Sequence, residues 1–154
     1  MPITPEHVGR HFPPAPPYTV SRAKIEEFAV ALGDDNPAYF TDDAIAPPTF
    51  AAIIAAQAWG ALFDDEELGL SLNRTMHGDQ HFDFHRPLKA GDEVVAQLGI
   101  ERVRNRSTMD MVTILVELTV DASVEGGRLV GTVEEEESNI TVGQSPDQDV
   151  HVVE

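Results

Sequence analysis

The sequence predicts an α+β domain in which an antiparallel sheet curls over one long helix. Residues 44–62, AIAPPTFAAIIAAQAWGAL, carry most of that prediction. Phe50, Ile53, Ile54, Gln57, Ala58 and Ala61 fall at helical spacing, and the remaining faces are mostly alanine, as in a helix buried on all sides. Such small side chains let neighbouring backbone come close. Four strand-like runs then follow one another, the two at 93–103 and 108–120 rich in β-branched residues. Helices precede strands instead of alternating with them, which favours α+β over α/β. At 154 residues the chain suits a single domain with a sizeable core.

In order, the proline-rich start (Pro13, Pro14, Pro16, Pro17) reads as extended chain on the surface. Ser21 is placed to cap a first helix whose stripe is Ile25, Phe28, Ala29 and Leu32, and Gly33 sits where a C-cap glycine belongs. Residues 33–43, GDDNPAYFTDD, are too polar and turn-rich for a regular element and read as a loop. The central helix opens on Pro47-Pro48, where no backbone N–H is needed, and stops before Asp64. In the first strand, 77–85, Gln80, Phe82 and Phe84 share one face, with His77, Asp79, His81, Asp83 and His85 on the other. Residues 87–92 read as a turn. Strands at 93–103 and 108–120 form a hairpin through 104–107, Gly126-Gly127 makes a second turn, and a last strand begins at Arg128. The domain is expected to span 1–137, with 138–154 a mobile tail.

Composition removes several function classes. Acidic residues number 27 against 10 basic, for a net charge of −17, so neither nucleic acid nor an anionic membrane is an expected partner. Without cysteine there is no disulfide, thiolate or zinc–sulfur chemistry. The first dozen residues do not read as a signal peptide, and no apolar run reaches the roughly 18 residues of a membrane helix. The expected location is the cytoplasm.

Two stretches carry a family resemblance. GDDNPAY at 33–39 resembles the G-D-x-N-P-x-H signature of the MaoC-like (R)-specific enoyl hydratases and dehydratases. HGDQHFDFHRPLKAGDEV at 77–94 is similar to that family's F-x-x-x-R-P-x-x-x-G-D strand and turn. The resemblance spans about residues 5–137, nearly the whole domain, and the chain resembles in particular the single-domain subunits of actinobacterial (3R)-hydroxyacyl-ACP dehydratases. The resemblance implies a hot-dog fold and acyl-CoA or acyl-ACP thioester chemistry without cofactor or metal. It also implies a dimer with itself or with a catalytic hot-dog subunit.

It implies a site as well. Asp34 falls on the family's catalytic aspartate and Asn36 on the following turn. Tyr39 occupies the histidine position, with Phe40 beside it, and a phenol does not exchange protons near neutrality as imidazole does. Pro47 and Pro48 stand at the helix start, where the family uses a backbone N–H, and proline has none. With both parts altered, the sequence points to an acyl-binding subunit inactive alone. A stand-alone hydratase using Asp34 and Tyr39, or a non-catalytic acyl-CoA-binding module, are the competing readings. Phe40, Pro48, Thr49, Phe50, Trp59, Phe82 and Phe84 are candidates for the acyl slot. Arg102 and Arg104, with Arg106, are candidates for a phosphopantetheine phosphate or an acidic carrier. His77, His81 and His85 lie about 13 Å apart along one strand, too far to share a metal ion, and read as a polar strand face. Arg86 reads as a strand-end anchor, and 134–137 as a solvated strand end.

Overall fold

A computed structural model of the chain describes residues 3–120 and 128–140. Helix α1 (Arg22–Leu32) forms as the sequence dictates. Ser21 Oγ accepts the Lys24 N–H at its start, and Gly33 ends it in the left-handed region at φ +70°, where a side chain would be strained. Ile25 and Ala29 turn inward, whereas Leu32 is exposed.

The expected single central helix is instead two short ones. A 3-10 turn at Pro48–Phe50 leads into α2 (Ala51–Ala56), and α3 (Trp59–Phe63) follows. Between them Gln57 and Ala58 donate to Ile54 and Ala55, three residues back, which interrupts the four-back ladder. Residues 44–47 are extended rather than helical. Pro47 disfavours helix before it, and Ala46 N–H donates to Leu88 while Ala90 N–H donates to Ala44.

Among the described residues the sheet has five strands in the order β1-β3-β4-β5-β2, all antiparallel. They are β1 (Tyr18–Thr19), β2 (Thr75–Phe84), β3 (Glu93–Arg106), β4 (Met109–Val120) and β5 (Arg128–Ile140). The order corrects a simple meander: β2 lies beside β5, separated from β3 by β4 and β5, so residues 85–92 cross the fold instead of closing a hairpin. Arg86 anchors this crossing by a two-nitrogen bond to Asp92, and Lys89 N–H donates to the same carboxylate. Burial alone would raise the Asp92 carboxyl, but these donors outweigh it and hold it below the usual range.

The β3–β4 hairpin is longer than expected, turning at Ser107-Thr108 only. The proline-rich start lies along the outer edge of β3, with Phe12 N–H on Leu98 and Ala15 N–H on Ala96. Strand β5 continues to Ile140, three residues beyond the expected domain end. The turn at 126–127 and the tail from 141 on lie outside the described residues. Phe50, Ile54 and Leu62 from the helices pack on Leu98, Ile114, Leu118 and Val133 from the sheet, all essentially buried. Each such side chain contributes about 1.5–3 kcal/mol of burial free energy.

Candidate functional site

The 33–43 loop is built by its own polar side chains. Asp34 Oδ1 accepts the Asn36 N–H at 3.1 Å, and Asn36 Oδ1 accepts the Ala38 N–H at 3.0 Å, capping a 3-10 turn at Pro37–Tyr39. Both side chains are otherwise exposed. That turn drives Tyr39 inward until it is 7% exposed.

Tyr39 then lines a pocket of about 290 Å³ with Ile45, Pro47, Pro48, Phe84 and His85. The wall is apolar, with one phenol, one imidazole and the Arg86 guanidinium as its polar groups. Of the residues singled out in the sequence, the structure brings Tyr39, Pro48 and Phe84 together here. Asp34, Asn36, Phe40 and Thr49 lie outside the lining. Phe50 is in the core, edge-on to Phe28 (5.4 Å) and Tyr18 (6.2 Å). Phe82 stacks parallel to Phe84 at 6.1 Å, one inward position further along β2. Arg102 and Arg104 are exposed on β3, paired with Thr113 and Met111 and away from the pocket lining. His85, which the sequence assigned only to a polar strand face, is a pocket residue.

A second polar group lies on the inner face of the sheet, and it overturns two sequence expectations. Residues 134–137 are not a solvated end: Glu135 is fully buried and Glu137 is 6% exposed. Trp59 Nε1 donates to Glu135 Oε2 at 2.7 Å, and Gln80 Nε2 donates to Glu135 Oε1 at 2.6 Å. His77 Nδ1 is hydrogen-bonded to Glu137 Oε1 at 2.7 Å, and its ring stacks on Trp59. Burial raises both carboxyls above the ordinary range, against the pull of these donors.

His77 reaches this group because β2 shifts register between His77 and Asp79. The extra residue, Gly78, inverts the alternation, so His77 shares the inward face with Gln80 instead of the outward face with Asp79. The parity of β5 could have revealed the glutamates, since Val133, Glu135 and Glu137 occupy alternate positions of one face. The bulge left no such signal beyond a glycine in a strand.

Residues 6–130 match the family model described as FAS1-like, dehydratase domain region. A UPF0336 protein of Cutibacterium acnes is 52% identical over 118 residues, covering 77% of this chain and 83% of that protein. Among solved structures, the C-terminally truncated HadBC (3R)-hydroxyacyl-ACP dehydratase complex of Mycobacterium tuberculosis superimposes with a TM-score of 0.74 at 29% identity. That match covers 86% of this chain and 97% of the other. A MaoC-like dehydratase gives a TM-score of 0.73 at 25% identity, covering 88% of this chain and 42% of that one. The fold these two share with the chain is the hot-dog fold expected from the sequence.

Proposed function

From its membership of the FAS1-like dehydratase-region family, to which the chain belongs over residues 6–130, we propose that it is the acyl-binding subunit of a hydro-lyase. The substrate is a (3R)-3-hydroxyacyl thioester on CoA or acyl carrier protein. The observation that carries this is the Tyr39 pocket: it has the apolar wall an acyl chain needs, and it presents a phenol where relatives are expected to present imidazole.

The chemistry explains why that matters. Removing water breaks a Cα–H and a Cβ–O bond, so one group must take the carbon-bound proton and one must protonate the departing hydroxyl. The carboxylate candidate, Asp34, lies outside the pocket and already accepts a backbone N–H. Pro47 and Pro48 line the pocket without an N–H to steady the thioester oxygen. The catalytic pair therefore comes from a second hot-dog subunit, an arrangement consistent with the similarity to a two-subunit dehydratase. Strand β2, which has no neighbour on its outer side among the described residues, offers the edge for such a partner.

His85 favours one second reading, an autonomous hydratase whose proton exchange passes through this imidazole and Tyr39. Loss of conjugated absorbance from a trans-2-enoyl-CoA separates the two. Turnover that requires an added hot-dog subunit and survives His85→Ala supports the acyl-binding role. Turnover by the chain alone, abolished by His85→Ala, refutes it. A gain of activity in Tyr39→His would identify the phenol as the missing element.

A further inference from the structure

The inner face of the sheet changes character along its length. From the Tyr39 pocket, Phe84 and then Phe82 face inward on β2, with Val133 paired to Phe82 on β5 and fully buried. The next inward positions are Gln80 and Glu135, bonded to each other and to the Trp59 indole of α3, and behind them stand His77 and Glu137. Phe84 and Gln80 are four residues apart, or about 13 Å along the strand.

We infer that the Trp59–Glu135–Gln80 cluster is a polar stop that sets the acyl-chain length the pocket accepts, limiting it to short and medium chains; this rests on the acyl-binding reading given above. The pocket lining ends at Phe84, so a tail longer than the pocket would next have to pass Phe82 and then a fully buried carboxylate held by two donors. To pass, the tail would have to displace the indole or the amide, leaving Glu135 buried beside methylenes with a donor lost. Trp59 also fills the space, since its bond to Glu135 ties α3 down onto β5. A tail that ends before Gln80 avoids all of this and buries its methylenes against rings. The stop is continuous with the His77–Glu137 pair through the stacked Trp59 ring.

The test is a chain-length series of saturated acyl-CoAs, hexanoyl to palmitoyl, titrated calorimetrically into the full chain, or into its complex if a partner subunit co-purifies. The expected result is binding up to about octanoyl and a loss of at least about tenfold in affinity for palmitoyl. Combining Trp59→Phe, Gln80→Leu and Glu135→Leu replaces the stop by apolar side chains and should bring palmitoyl to within about twofold of octanoyl. If that variant does not fold, the wild-type series and Glu135→Leu alone still decide: removing the carboxylate should narrow the gap between palmitoyl and octanoyl, and an unchanged gap overturns the stop. Palmitoyl binding as tight as octanoyl in the wild type overturns the stop and leaves the acyl-binding role intact. Failure of every acyl-CoA to bind the folded protein overturns the acyl-binding role, and the stop with it.

Discussion

At the residue scale, the side chain that ties helix to sheet is Trp59. Its indole N–H is one of two donors to a carboxylate with no access to water. Trp59→Phe keeps the ring but strands an acceptor, so denaturant melts should show a loss of about 1–3 kcal/mol; an unchanged midpoint would mean that Glu135 does not depend on the indole. The same carboxyl gives a pH dependence. Its folded-state affinity for a proton is raised by burial, so ionisation costs more in the folded chain than in the unfolded one. That penalty is absent below the ordinary carboxylate range and grows as pH rises through the raised value. Glu135→Gln should therefore lose less stability than the wild type between about pH 4 and pH 8, read as melting temperature against pH; parallel curves would refute it. Asp92 has the opposite sign: held below its usual range by Arg86 and Lys89, it stabilises at neutral pH and that contribution disappears on acidification. The sequence made Arg86 legible as an anchor because Arg-Pro at a strand end has few other uses. It hid Glu135 because a run of four glutamates looks solvated until each is assigned a face.

At the scale of elements, α1 was readable to its caps, since Ser21 and Gly33 act locally and need no tertiary partner. The central helix was readable as buried but not as divided. Its late start follows from the pairing of residues 44–46 with 88–90, a long-range fact, and the three-back bonds of Gln57 and Ala58 that divide it leave no mark in the sequence. Two glycines show how the strands are constrained. A Cβ at Gly131 would sit 2.6 Å from the Asp83 carbonyl oxygen, a backbone atom of the paired strand, so Gly131→Ala must push β2 from β5. At Gly99 the nearest obstacle is the His11 ring, 2.8 Å away, which can rotate aside. Gly131→Ala is expected to cost roughly 1–3 kcal/mol and Gly99→Ala clearly less, by chemical denaturation of both. Equal costs would mean that β2 is looser than its pairing implies.

For the whole molecule, the fold class could be read because an apolar helix followed by consecutive strands has few ways to bury itself. The strand order could not, because nothing in the run of β2 says that it will sit beside the last strand instead of the next one. With a net charge of −17, the compact chain repels itself, so its melting temperature should rise as sodium chloride is increased toward about 0.5 M. A flat response would show that the acidic surface is already neutralised by partners. Met76 is 65% exposed on the outermost strand. If that strand carries the partner, Met76→Lys should lower the assembled fraction in light scattering, as lysine does on guarded sheet edges. Gly78 has one more consequence. Any foreign strand laid along β2 finds regular spacing from Asp79 to Phe84 and a jog just before it. The two chains therefore cannot slide past one another by a step: that single extra link works as a notch, fixing the phase in which a neighbour is allowed to seat.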